Sequence, residues 1–327
     1  MNIRLIYILG FAVIVFLGTV TIFSFKSIKK QKSPEVENNT DIIEPISVKK
    51  NKTNKNQYYS ECKRGFCIEA NTQGDTIQYS FQNNRNIHIT ISFQFYLNNI
   101  ILTSGEYFSV SIPQNSTIEL PTGIITDIDK PYKWDYRYEF RYGDINAIHN
   151  DYYIYQLPYS LNSTYEVTQS HHGKTSHNDQ YNMYAVDFNM PMRTQVCAAR
   201  DGYVAETRKY STINGPSKGN LSIAHGHFVV NIRDIGNYII IAHDDGTVAQ
   251  YLHLDFDSIF VDEDDYVQKG EVIALSGNTG ISNAPHLHFN VAKPSRNGKY
   301  ESIPVKFSTK KGIIYRPEEG KAYTASP

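Results

Sequence analysis

The pattern of hydrophobic and polar positions changes three times along this chain. From Leu5 to Phe25 there are 21 residues without a charge. As a helix rising about 1.5 Å per residue, that run reaches roughly 30 Å, the thickness of a bilayer core. It has no polar face to turn toward solvent. It therefore predicts a signal-anchor transmembrane helix within residues 1–30, with a cleaved secretory signal as the alternative. Residues 31–57 carry few large apolar side chains and many Asn, Lys, Glu, Ser and Pro, which predicts a flexible linker.

Beyond the linker, short runs alternate with a period near two. Thr76-Ile-Gln-Tyr-Ser-Phe81, Ile87-His-Ile-Thr-Ile-Ser-Phe93 and Trp134-Asp-Tyr-Arg-Tyr-Glu-Phe-Arg-Tyr142 are separated by Asn, Asp, Gly and Pro clusters. Such runs predict antiparallel strands and a β-sandwich-like module over 58–158. The remainder, 159–327, forms a second domain, so the chain is mainly β. At 327 residues, two globular domains after the front segment fit the length.

Composition narrows the function. Lys and Arg total 32 against 33 Asp and Glu, so a generally basic nucleic-acid surface is set aside. Three cysteines are too few for a disulfide scaffold or a four-cysteine zinc site. Cys62 and Cys67 are close enough in sequence to close a short loop in an oxidising compartment. Cys197, in an apolar stretch, reads as a buried structural thiol. Arg4 precedes the apolar run, and Lys26, Lys29, Lys30 and Lys32 follow it. That bias favours the Lys-rich side facing the cytoplasm, against the orientation adopted below.

The histidines are clustered: nine of the 11 lie between His171 and His288. Imidazole is the commonest metal ligand and titrates near neutral pH. In Pro285-His-Leu-His-Phe289, residues two apart on a strand share a face, so His286 and His288 project together while Leu287 and Phe289 turn to the core. In Tyr184-Ala-Val-Asp-Phe188, Asp187 faces away from its apolar neighbours and needs a partner, for which a metal is suited. Ser176-His177 sits in a polar loop, and Tyr251-Leu-His-Leu254 carries His253. His88 reads as packing, His149 as an exposed residue between domains, His243 as structural, and His225 and His227 as loop or groove-rim residues. No His-Glu-x-x-His, Gly-x-Ser-x-Gly or phosphate-binding Gly-rich lysine loop occurs.

These motifs have a fixed order. Ser176-His177 and Tyr184-Ala-Val-Asp-Phe188 precede Ala198-Ala-Arg-Asp-Gly-Tyr-Val204, Ala242-His-Asp-Asp-Gly-Thr247 and Tyr251-Leu-His-Leu254. Val267-Gln-Lys-Gly-Glu-Val-Ile273, Ser276-Gly-Asn-Thr-Gly280 and Pro285-His-Leu-His-Phe289 follow. From about His171 to Val291 the chain resembles the lysostaphin-type M23 zinc metallopeptidases that cut peptidoglycan peptides. The resemblance implies an antiparallel-sheet, barrel-sandwich-hybrid peptidase domain over 159–327. It implies His177, Asp187 and His288 as ligands of one Zn²⁺ per chain, with a fourth position open. His253 and His286 would be the unliganded catalytic histidines. It implies peptidoglycan peptides as the substrate of a zinc endopeptidase. The membrane would be met through the N-terminal helix and the globular part would lie outside the cytoplasm, in the periplasm or at the cell surface.

Two departures stand out. The family spacing is His-x3-Asp, whereas nine residues separate His177 from Asp187 here, which leaves His171 or His172 as alternative ligands. Arg193 occupies a position where the family has a small glycine. Two other classes compete. One is a non-catalytic M23-like module that binds cell wall or regulates another hydrolase. The other is a lipoyl-like carrier domain, suggested by the turns around Gly202 and Gly270. A regulatory protein partner leaves no motif to read.

Overall fold

The computed structural model describes residues 7–8, 11–16, 19–22, 56–214, 236–296 and 298–327. The chain divides into two compact units, Met1–Asn39 and Thr40–Pro327. In the first, Tyr7–Ile8, Phe11–Phe16 and Thr19–Ile22 form a three-stranded antiparallel sheet. This differs from the helix expected there. Val13, Ile14, Val15, Val20 and Thr21 are β-branched, and such residues favour extended backbone over helix. Among the described residues no helix is long and apolar enough to cross a membrane. The expected linker lies outside the described residues up to residue 55.

The second unit begins with a run of hairpins. Asn56–Lys63, Phe66–Gln73 and Thr76–Asn83 pair in succession. Arg64 and Gly65 fill the first turn with φ of 50° and 82°, as a two-residue hairpin with right-handed strand twist requires. Cys62 and Cys67 face each other across this hairpin and form a disulfide. Gly123–Ile125, Ile100–Leu102 and Ser116–Glu119 complete a six-stranded sheet. A second sheet orders Lys133–Tyr142, Ile89–Asn98 and Tyr107–Ile112. The period-two pattern is realised: Ile77, Tyr79 and Phe81 of one sheet meet Ile91, Phe93 and Phe95 of the other in one buried cluster.

The rest of the unit is built on an 11-stranded sheet. Its centre runs Gly202–Arg208, Asn237–Ala242, Val248–Ile259, Leu287–Pro294, Val186–Phe188 and Thr164–Gln169, all antiparallel. Ile154–Gln156 instead pairs in parallel with Lys306–Thr309. All six residues of Asn237–Ala242 are buried, which is unusual for an antiparallel strand. The cause is that both faces are covered. Ile239 and Ile241 join one core with Tyr251 and Phe289, while Tyr238, Ile240 and Ala242 join the core of the hairpin module. Arg85 ties the two parts together: its Nε donates to Asp264 Oδ1 at 2.9 Å and its Nη2 to Ala205 O at 2.8 Å.

Candidate metal centre

Three chain segments converge at one point of the large sheet. Val186–Phe188 and Leu287–Pro294 lie side by side with Asp187 paired to His288, and His288 is paired on its other side to Leu252. Leu287 and Phe289 turn into the core, so alternation puts His288 on the opposite face. Further along that face, Ala292 joins the module core. The module thus covers one stretch of this sheet face and the site stands on another. His177 arrives from the loop after Thr164–Gln169 and is fully buried.

The donor atoms meet on Asp187. His288 Nδ1 is 2.9 Å from Asp187 Oδ1, and His177 Nε2 is 3.3 Å from the same oxygen. One ligand atom from each of the three residues lies within 4.8 Å of the others. The loop orients His177: its Nδ1–H donates to Ser170 O at 3.0 Å, which leaves the lone pair on Nε2. Burial alone would raise the Asp187 carboxyl, but the bonds and charges of His177 and His288 outweigh it and hold the group well below the usual carboxylate range. His177 moves up: burial opposes its charge, but the Asp187 carboxylate beside it prevails. His288 moves down because its complete burial dominates.

These residues suit a metal ion. His177 Nε2, the atom facing Asp187, is buried without a hydrogen-bond partner of regular geometry, although such atoms are normally satisfied. Its lone pair is turned to the carboxylate. Two imidazole nitrogens and one carboxylate oxygen form a donor set for zinc that keeps a fourth tetrahedral position open.

His253 and His286 stand beside the donor set. Their ring centroids are 4.6 Å apart, and His253 is 6.1 Å from His288. His253 Nδ1–H donates to Thr279 O at 2.8 Å, and His286 Nδ1–H donates to Ala284 O at 2.8 Å. Both rings therefore keep a lone pair on Nε2, and that of His286 lies 3.9 Å from Asp187 Oδ1. Burial, then the neighbouring imidazoles, push the His253 pKa down to about 3. His286 immediately precedes its strand, which begins at Leu287, so the expected pair spans a strand entry.

His253 has φ of 65° in the middle of Val248–Ile259. Tyr238 pairs with Leu252 and Asn237 with Leu254, so His253 is the extra residue of a β-bulge. A bulge of this kind re-aims one side chain, and left-handed backbone at a non-glycine residue is strained. Arg193 has φ of 64° as well, which accounts for the glycine at this position in the family pattern. Here the guanidinium bonds Asp255 Oδ2 at 2.8 Å.

The alternative ligands fall outside the cluster. His171 is buried against Tyr184, and His172 is exposed against the same ring. His243 bonds Asp201 O at 2.7 Å and packs edge-on against Tyr155. His149, expected to be exposed, has a side chain only 7% exposed. It stacks on Tyr155 and bonds Asp151, which shields it. His225 and His227 lie outside the described residues. Gln169 is a site residue that the sequence reading did not find. Its Nε2 donates to Asp187 Oδ2 at 3.1 Å and its Oε1 accepts from the backbone N–H of Thr175 and Ser176. It thereby joins the ligand strand to the His177 loop.

The fold and donor set define a β protein with a candidate His, Asp, His metal site. Residues 181–301 match the family described as Peptidase family M23. His177 falls four residues before that stretch, and its place rests on the geometry above. The chain is 32% identical over 127 residues to peptidoglycan DD-endopeptidase ShyA of Vibrio cholerae, covering 38% of this chain and 24% of that protein. It is 33% identical over 125 residues to lysostaphin of Staphylococcus simulans, covering 38% and 21%. This chain thus spans about a quarter or less of the length of these relatives. The solved catalytic domain of the antimicrobial peptidase lysostaphin from the same organism is 26% identical, covers 43% of this chain and 88% of its own, and gives a TM-score of 0.29.

Proposed function

We propose that this chain is a zinc-dependent endopeptidase that hydrolyses peptide bonds in peptidoglycan stem peptides or cross-bridges. The observation that carries the reading is the meeting of His177, Asp187 and His288 donor atoms within 4.8 Å, beside two histidines whose Nε2 atoms are free to take a proton. Zinc, when bound, supplies Lewis acidity toward water and toward the scissile carbonyl. His253 and His286, each with Nδ1 on a backbone carbonyl and Nε2 turned free, accept the proton of the attacking water and return it to the leaving amine. Once protonated, the same imidazoles stabilise negative charge developing on the carbonyl oxygen. Ser170 and Gln169 hold His177 and Asp187 in place while this happens.

The substrate class is supported by the relatives, among them a peptidoglycan DD-endopeptidase. Such a substrate places the globular part outside the cytoplasm, with the apolar run Leu5 to Phe25 as its membrane-targeting segment. The Cys62–Cys67 disulfide suits that oxidising compartment. The test is mass spectrometry of muropeptides after sacculi are incubated with the zinc-loaded protein or its His288→Ala variant. New peptide termini from the wild type alone are expected. Identical products from both proteins defeat the proposal. Intact sacculi with a full complement of zinc would instead favour a non-catalytic cell-wall module.

A further inference from the structure

A cavity of about 280 Å³ opens within the second unit, and none of the five site residues lines it. Its walls come from the hairpin module (Asn86, Gln114), the connection (Asn150) and the large sheet (His243, Tyr203, Tyr266). Its size is near the lower end of small-ligand sites, about 300–1,000 Å³.

The charged groups that reach the cavity are already matched. Arg200 donates to Asp244 at 2.5 Å and Asp245 at 2.6 Å, and its guanidinium lies 4.4 Å over the Tyr153 ring. Asp201 Oδ1 accepts the Lys269 N–H at 2.6 Å. A charged ligand would have to break these pairs.

The neutral groups, by contrast, have capacity left. His243 is 3% exposed, and its Nδ1–H donates to Asp201 O. Its Nε2 therefore carries a lone pair, and that atom is buried without a partner. Burial, with the Arg200 charge, lowers its pKa to about 4 and keeps it neutral. A buried acceptor left without a donor is costly. Asn150 Oδ1 accepts the Tyr152 N–H at 3.0 Å, and Asn86 Oδ1 accepts from Asn115 at 2.8 Å, so both NH₂ groups remain as donors. Tyr203 and Tyr266 meet edge to face at 5.0 Å, and Tyr266 is 54% exposed. A ring of this kind offers an apolar face beside the polar groups.

We infer that this cavity binds a neutral, hydroxyl-rich ligand, a hexose or N-acetylhexosamine unit of a glycan. Sugar oxygens accept from Asn86 and Asn150, and the C–H face of the ring lies on Tyr266. This goes beyond peptide-bond hydrolysis: it gives the chain a hold on the sugar part of a glycopeptide polymer, separate from the metal centre.

The test is calorimetric titration of the full chain with tetra-N-acetylchitotetraose, an uncharged and peptide-free probe. Saturable binding is expected, weakened at least about fivefold by Tyr266→Ala and by Asn150→Ala. Both residues are exposed, so unchanged thermal midpoints will show that the variants fold. No saturation by about 10 mM probe, weaker than any useful contact, overturns the inference. So does binding that both variants leave unchanged. Binding of 1,5-diaminopentane through Tyr266 without any binding of the chitotetraose overturns it in favour of a cationic ligand.

Discussion

Asp187 and His288 are register partners on adjacent antiparallel strands, with His288 Nδ1 2.9 Å from Asp187 Oδ1. Two of the three donors are thus spaced by the sheet and not by a loop, since facing residues hold their Cβ atoms about 4.5–5.5 Å apart. Without the carboxylate, two buried imidazoles remain with no anion to offset the charge of a bound cation. Asp187→Asn keeps the side-chain shape and removes that charge. Zinc content is expected to fall from one equivalent to a small fraction, and muropeptide cleavage to fall by more than the roughly 10–100-fold typical of losing a ligand's supporting partner. Elemental analysis beside the cleavage assay checks this, and a variant that keeps full zinc contradicts it.

Gln169 supports the site without entering the donor set. Its Nε2 bonds the Asp187 oxygen that His288 does not use, and its Oε1 collects two N–H groups of the His177 loop. Room for it is made by Gly173, where a Cβ would stand 2.4 Å from Gln169 Cγ. Gln169→Ala is expected to weaken zinc affinity by about 10–100-fold while the folded chain still binds one equivalent at saturating metal. Competition against a chromogenic chelator measures this. An unchanged affinity would show that the His177 loop holds itself.

His253 differs from the ligands in what its loss should do. The bulge at φ of 65° directs its ring toward His286, and Thr279 O fixes its tautomer. His253→Ala removes a proton acceptor and leaves the donor atoms untouched. Zinc stoichiometry is expected to stay at one, while turnover falls by roughly 10²–10⁴. A parallel loss of metal and activity would make His253 a ligand or a structural prop and not an acid–base group.

Much of this could be read along the chain because its signals are local. The alternation in Thr76–Asn83 and Ile89–Asn98 needs only period two, and the His286, His288 spacing needs only extended backbone at the entry of a strand. What escaped the reading depends on pairing between distant segments. Gln169 meets Asp187 through a bulged register between Val167 and Gln169. His149 is shielded by Tyr155, six residues on but brought over it by the chain's turn. The double burial of Asn237–Ala242 depends on a module more than 90 residues upstream, which its apolar run signals without naming the cover. The front segment shows the limit of composition: 21 uncharged residues satisfy a span length, yet their β-branched content also satisfies a strand.

Outside the metal centre, His243 makes the stability of the fold depend on pH. It is 3% exposed, and burial lowers its pKa from 6.5 to about 4. Between those values the unfolded chain takes up a proton that the folded chain refuses. Its contribution is therefore fully present above about pH 6.5 and is lost as pH falls toward 4. A shift of this size corresponds to about 3 kcal/mol at most. His243→Gln retains a donor for Asp201 O and does not titrate. In urea unfolding at pH 7.5 and 4.5, the wild type is expected to lose about 2–3 kcal/mol more than the variant. Other titrating groups, including His177, Asp187 and His288, are common to both proteins and cancel in the comparison. Equal losses in the two proteins would mean that His243 is already charged in the fold, with Asp245 and Asp244 compensating it despite Arg200.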